Sequence, residues 1–135
     1  LNIRSKSCFN TIRQMERLFE RIPGLTLNAD LFHLWWDPDL ERLLRGDSVP
    51  VGLLQICDVA IPEGEIVPRR VPLGEGFIPW ADYVRTVASA FPTIPVELEM
   101  FADELRGRCI EDVLAKSAAA LSTLAGGVDG SSRDG

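Results

Sequence analysis

The pattern of apolar and polar positions divides the chain into a leading helix followed by three strand-helix units. Apolar residues at helical spacing in "NTIRQMERLFERI" predict a helix that is capped by Asn10 and stops before Pro23. The next segment, "LTLNAD", alternates with a period of two and predicts a strand that ends at Asp30. Asp37 in "DPDLERLLR" marks the expected start of a second helix.

The remainder of the chain repeats the strand-helix order. A nearly continuous apolar run, "VGLLQICDVAI", predicts a strand that is covered on both faces, and the segment "PEGEIVPRRVPLGEG" predicts a loop. The segments "PWADYVRTVASAF", "IPVELEMF" and "IEDVLAKSAAALSTLA" predict a helix, a strand and a helix in turn. Residues 1–125 are thus expected to form the domain, and the Gly-, Ser- and Asp-rich residues 126–135 a disordered tail.

This order predicts an α/β fold with three parallel strands, because strands that alternate with helices pair in parallel through right-handed crossovers. Three such strands cannot close a barrel, and an open sheet of three leaves two unpaired edges. We therefore expect an incomplete architecture, in which further strands are missing or another chain supplies them.

Composition and charge narrow the classes of partner. The 135 residues, 46% hydrophobic and 25% charged, are typical of one globular domain. A net charge of −6 argues against a nucleic-acid surface, and no apolar run approaches the ~20 residues of a membrane span. Cys8, Cys57 and Cys109 are odd in number and widely spaced, which argues against a disulfide framework and favours a reducing cytoplasm. Small molecules or proteins are the expected partners, and the open edges favour a homo-oligomer.

Polar residues interrupt the predicted strands toward their carboxyl ends. Asp30 ends the first strand, Gln55 and Asp58 close the second, and Glu97 and Glu99 share one face of the third. Sites in parallel α/β proteins are built at this edge, where loops and helix N-termini converge. Carboxylate and carboxamide oxygens suit a hard divalent cation such as Mg²⁺ or Mn²⁺.

Each of these residues also has an interpretation that involves no chemistry. Asp30 could cap a helix or a loop, and His33 could be a hydrogen-bonded, partly buried histidine. Gln55 could pair with the backbone, and Asp58 could support a neighbouring side chain. Glu97 could meet a basic group or lie exposed at an open edge. The residues by themselves leave both interpretations open.

Four segments in order, "NADLFH", "LLQICD", "RRVPLGEG" and "VELEMFADELR", resemble the sugar phosphate isomerase/epimerase group of xylose isomerase-like TIM barrels. The resemblance implies the C-terminal portion of a (β/α)8 barrel, because family members take a further Glu ligand from a strand that would precede Leu1. It also implies that Asp30, Gln55 and Glu99 are metal ligands, for Mg²⁺ or Mn²⁺ with Co²⁺ possible.

The same resemblance implies a metal-dependent isomerase or epimerase of a small sugar or sugar phosphate, a polyhydroxylated carbonyl compound. Glu99 would also move the proton, His33 would contact the substrate or act in catalysis, and Arg70 would bind a substrate carboxylate or phosphate. Gln55 in place of a histidine ligand favours lyases similar to 3-dehydroshikimate dehydratase. A non-catalytic α/β interaction module is the remaining alternative. An incomplete ligand shell predicts weak or no activity for these residues alone.

Overall fold

The computed structural model describes residues 8–126, which form two compact units, residues 8–57 with 78–99 and residues 58–77 with 100–126. Their elements are α1 (Ile12–Phe19), β1 (Leu27–Asp30), α2 (Leu31–Leu34), α3 (Leu40–Leu44), β2 (Val51–Ile56), β3 (Asp58–Ala60), β4 (Arg69–Val71), α4 (Trp80–Ala90), β5 (Val96–Leu98) and α5 (Ile110–Gly126). The expected tail 126–135 lies outside the described residues, except for Gly126, which ends α5.

The first unit contains a parallel three-stranded sheet in the order β1-β2-β5. In the pairing of β1 with β2, Asp30 lies opposite Gln55. In the pairing of β2 with β5, Gln55 lies opposite Glu97. The parallel order that the strand-helix alternation predicts is therefore confirmed.

The two faces of this sheet differ in polarity. Side chains along a strand alternate between faces, so Asn28 and Asp30 project from the face opposite Ala29 in β1. Buried apolar side chains of the first unit come from strands and helices alike, and they include Ile12, Met15, Leu27, Ala29, Leu31, Leu34, Leu40, Leu43, Leu44, Val51, Leu54, Ile56, Trp80 and Val87. Burying a side chain the size of leucine contributes about 2 kcal/mol, so this core fixes the strands and leaves the other face for polar groups.

Two helix starts differ from the sequence prediction. Thr11, and not Asn10, caps α1, because its hydroxyl accepts the N–H of Gln14 while the Gln14 side chain accepts the N–H of Thr11. Helix α3 begins at Leu40, three residues after the predicted cap Asp37. Asp37 is buried and accepts the N–H groups of Ile12 and Asp39, each at 2.9 Å. It therefore links the start of α1 to the turn before α3.

The apolar run predicted as one strand is two strands, β2 and β3, which are separated at Cys57. In the second unit β3 pairs antiparallel with β4, so a short hairpin occupies part of the segment that was predicted as a loop. The Asp58 carboxylate accepts the N–H groups of Val59 at 2.8 Å and Gly74 at 3.1 Å. A Cβ at Gly76 would overlap Asp58 and the Val59 carbonyl, so this turn requires glycine. Asp58 thus holds the hairpin and its following turn.

The third predicted strand, "IPVELEMF", is shortened to Val96–Leu98. None of the three cysteines, Cys8, Cys57 and Cys109, forms a disulfide bond, in agreement with the expected lack of a disulfide framework. Within residues 8–126, no helix combines the length and apolarity that crossing a membrane requires.

Candidate functional site

Asp30 is the last residue of β1 and the N-cap of α2, and its side chain is 2% exposed. One carboxylate oxygen, Oδ1, accepts the N–H of Phe32 at 2.9 Å. The other oxygen, Oδ2, lies 3.6 Å from Nε2 of His33. The strand-to-helix turn therefore holds a buried carboxylate at the carboxyl end of the sheet, and the cap uses one of its two oxygens.

His33 lies one helical turn after Asp30, and its side chain is 16% exposed. Its ring packs edge-to-face with Phe32, with the ring centroids 5.3 Å apart. This packing and the neighbouring carboxylate orient the imidazole at the same end of the strand. Asp30 and His33 thus meet within one turn of helix.

Gln55, opposite Asp30 in β2, is 8% exposed and hydrogen-bonded through both ends of its amide. Its Oε1 accepts from Asn28 Nδ2 at 2.8 Å, and its Nε2 donates to Glu97 Oε2 at 3.1 Å. This line of side chains crosses all three strands. Both bonds join side chains. They therefore do not support the sequence interpretation in which Gln55 pairs with the backbone.

Asn28 is the residue of this face that sequence reasoning missed. It stands two positions before Asp30, so the period-two alternation of "LTLNAD" already placed both side chains on one face. Its Oδ1 is buried and has no hydrogen-bond partner within residues 8–126. Asn28 therefore brings an additional acceptor oxygen to the polar face.

Glu99 directly follows β5, and its backbone N–H donates to the carbonyl of Ile56 at 2.9 Å. It is half-buried and stands two residues after Glu97, which places both glutamates on the face of Gln55. In residues 8–126, no three His, Cys, Asp or Glu side chains form a group that could hold a metal ion. The predicted ligand set thus depends on the Gln55 amide as its third member, beside Asp30 and Glu99.

Arg70 belongs to β4 in the second unit, and its side chain is 3% exposed. Its Nη1 lies 3.7 Å from Glu104 Oε1, and the guanidinium carbon lies 4.5 Å from the ring centroid of Phe101. Glu104 is fixed in turn by the N–H of Phe101, which donates to its Oε2 at 2.8 Å. The buried charge of Arg70 is therefore compensated inside this unit, and its contact with a substrate stays a prediction.

Solved structures share this fold. Protein SMc04130 from Sinorhizobium meliloti 1021 is 24% identical, with a TM-score of 0.70 over 91% of this chain and 48% of that chain. A xylose isomerase-like TIM barrel/4-hydroxyphenylpyruvate dioxygenase fusion protein is 22% identical, with a TM-score of 0.68 over 91% of this chain and 21% of that chain. The chain thus spans less than half the length of either protein, and at these identities the likeness shows the fold.

The sequence comparison is more specific about ancestry. None of the curated proteins matches the chain with significance. The sequence profile of the family described as xylose isomerase-like TIM barrel matches residues 2–124. Together with the parallel sheet β1-β2-β5, which is not closed within the described residues, this match confirms the expected partial barrel. The chain belongs to the xylose isomerase-like TIM barrel family.

Proposed function

We propose that the chain carries the metal-binding part of a metal-dependent isomerase or epimerase that acts on a small sugar or sugar phosphate. The observation that supports this proposal most strongly is the register of the sheet, in which Asp30, Gln55 and Glu97 are neighbours across three parallel strands. Glu99 follows two residues later on the same face. Barrels of this kind build their sites at this end of the strands.

The donor atoms suit a hard divalent cation. Asp30 and Glu99 offer carboxylate oxygens and Gln55 offers a carboxamide oxygen, which are the ligand types preferred by Mg²⁺ and Mn²⁺. The buried Oδ1 of Asn28 is a further oxygen on the same face. Asp30, Gln55 and Glu99 would hold the cation, which when bound would stabilise negative charge on a substrate carbonyl oxygen as a Lewis acid.

The neighbouring side chains would bind the substrate and move its proton. Glu99 would accept a proton from a substrate carbon and return it, because a carboxylate near the reacting atoms can act as a general base and then as a general acid. His33 would hydrogen-bond a substrate oxygen, in the orientation set by Asp30 and Phe32.

The test is Mn²⁺ binding to the 135-residue chain, measured by calorimetry beside turnover of a panel of ketoses. We expect one Mn²⁺ site whose affinity falls at least about tenfold in Glu99→Gln, since an amide is a weaker ligand for a hard cation than a carboxylate. The matched control is Glu41→Gln, which removes the same charge from an exposed ion pair with Arg45. Unchanged Mn²⁺ affinity in Glu99→Gln would contradict the proposal.

A lyase that acts on 3-dehydroshikimate is the second candidate, favoured by Gln55 at the position of a histidine ligand. Adding 3-dehydroshikimate to the panel of substrates distinguishes the lyase from the isomerase or epimerase. Dehydration of this compound without turnover of any ketose would favour the lyase. A chain that binds no Mn²⁺ and turns over no substrate would favour the non-catalytic interaction module.

A further inference from the structure

The two hydrogen bonds that connect the side chains of Asn28, Gln55 and Glu97 run in the same direction across the sheet. Asn28 donates to Gln55, and Gln55 donates to Glu97. Asn28 and Gln55 are amides, which have an acceptor at one end and a donor at the other and can be turned over. An ionised Glu97 carboxylate can only accept. Of these three side chains, Glu97 alone must be an acceptor. It therefore sets which end of each amide is the donor in the other two.

The reversed arrangement is unfavourable. If the Gln55 amide were turned over, its oxygen would face the Glu97 carboxylate, and two acceptors would oppose each other without a proton between them. Glu97 is exposed, but Gln55 is only 8% exposed, so its turned-over amide would find little water to replace the lost bond. The bond to a charged acceptor is also stronger than a bond between neutral groups. The contact with Glu97 thus decides which atom of Gln55 is turned toward β1.

We propose that Glu97 is a positioning residue that turns the Gln55 amide nitrogen toward β5 and its oxygen toward β1, the strand of Asp30. Under the proposed function, on which this step rests, the oxygen is the atom that a divalent cation needs. Asn28 supports the same orientation by donating to that oxygen. Donation of the amide proton to a carboxylate further raises the electron density on the Gln55 oxygen, which makes it a better ligand.

The first test needs no metal. The side-chain NH₂ protons of Gln55 are followed by NMR in the ¹⁵N-labelled chain and in Glu97→Gln, with Glu41→Gln as the control. A fixed amide gives one downfield proton that exchanges slowly with solvent. We expect Glu97→Gln to reduce the downfield shift and to accelerate exchange by up to about tenfold, because a neutral amide oxygen is a weaker acceptor than a carboxylate and no longer fixes the direction of the line. An unchanged Gln55 signal in Glu97→Gln overturns the proposal.

The second test separates orientation from charge. Mn²⁺ affinity is measured for the wild type, Glu97→Gln, Gln55→Glu and the double variant. A glutamate at position 55 presents an oxygen in either orientation, so it no longer needs Glu97 to position it. We expect Glu97→Gln to weaken Mn²⁺ binding about tenfold when residue 55 is glutamine and not to weaken it when residue 55 is glutamate.

The outcomes are distinct. If Glu97→Gln weakens Mn²⁺ binding by the same factor in both backgrounds, Glu97 acts through its charge and the positioning role is wrong. If no variant binds Mn²⁺ but the Gln55 amide signal still depends on Glu97, the proposed function fails while the positioning of Gln55 is supported. If Glu41→Gln changes either readout as strongly as Glu97→Gln does, the effect is not specific to this line and the proposal is overturned.

Discussion

The Asp30 carboxylate serves two partners at once: Oδ1 accepts the N–H of Phe32, and Oδ2 lies 3.6 Å from Nε2 of His33. A helix cap requires one acceptor oxygen, and asparagine caps helices as well as aspartate does. A buried carboxylate, in contrast, carries a desolvation cost that a cap alone does not explain. The structure therefore shows Asp30 as the cap of α2 with its second oxygen beside His33.

Substitutions at Asp30 separate these two roles. We expect Asp30→Asn to keep the cap and to leave the free energy of unfolding within about 0.5 kcal/mol of wild type, while Asp30→Ala loses about 1 kcal/mol. Both variants lose a charged ligand, so Mn²⁺ affinity should fall at least about tenfold in each. Urea denaturation and Mn²⁺ calorimetry provide the two measurements. If Asp30→Asn binds Mn²⁺ as tightly as the wild type does, Asp30 acts only as a helix cap and is not a metal ligand.

Asp37 is expected to be a purely structural carboxylate. It accepts two N–H groups, those of Ile12 and Asp39, and it is 5% exposed. Asp37→Ala leaves both donors unsatisfied, which should lower the free energy of unfolding by about 2 kcal/mol. Urea denaturation measures the loss, with Asp47→Ala at an exposed position as the control. Equal losses in the two variants would show that the two bonds of Asp37 contribute little.

Much of the architecture could be predicted from the sequence, because it depends on periodicity. The strand that ends at Asp30 and the parallel pairing of the apolar run both follow from the hydrophobic pattern and the long connections. The β3–β4 hairpin could not be predicted in this way. It depends on Asp58 binding the N–H of Gly74, a contact between residues 16 positions apart that no local pattern encodes.

The candidate site was predictable to a similar extent. The sequence placed Asp30, Gln55 and Glu99 at the carboxyl ends of three strands, and the register sets Asp30 opposite Gln55 and Gln55 opposite Glu97, with Glu99 directly after β5. The partners of Gln55 were not predictable, since the bonds to Asn28 and Glu97 depend on which strands are neighbours. Glu97 had two open interpretations in the sequence, a basic partner or an exposed position. The structure shows it exposed on the edge strand β5, where it also accepts a hydrogen bond from the Gln55 amide.

In the second unit, Glu104 is expected to stabilise the buried guanidinium of Arg70. Removal of its carboxylate leaves that cation with less compensation and also breaks the bond from the N–H of Phe101. Glu104→Ala should therefore lower the free energy of unfolding by about 2 kcal/mol. The exposed Glu63 gives a matched control, Glu63→Ala, which should change stability by less than about 0.5 kcal/mol. If urea denaturation gives the same midpoint for both variants, Arg70 does not depend on Glu104.

The bond between Ser48 and Glu16 should make stability depend on pH. The Ser48 hydroxyl donates to Glu16 at 2.6 Å and, with the Arg42 guanidinium, lowers the pKa of Glu16 from its ordinary value of 4.5. A carboxyl with a lowered pKa stabilises the fold above its unfolded-state pKa, and this contribution is lost as the pH falls through the folded-state pKa.

Ser48→Ala tests this linkage. Because the variant raises the pKa of Glu16 toward 4.5, its deficit in unfolding free energy should be present at neutral pH, at no more than about 1 kcal/mol, and should shrink at acidic pH below 4.5. Urea denaturation at neutral and at acidic pH measures the difference. A deficit of the same size at both pH values would mean that the hydroxyl does not act through the charge of Glu16.

The central claim is that Asp30, Gln55 and Glu99 together bind one divalent cation, and paramagnetic broadening by Mn²⁺ tests it most directly. Backbone amide signals of the ¹⁵N-labelled chain are recorded while substoichiometric Mn²⁺ is added to the wild type and to Asp30→Asn. We expect the signals of Asp30, Gln55 and Glu99 to broaden before those of α3 and α5, and we expect Asp30→Asn to suppress this selectivity. Broadening that starts at the exposed acidic residues of α3 or α5, or that is identical in Asp30→Asn, would contradict it.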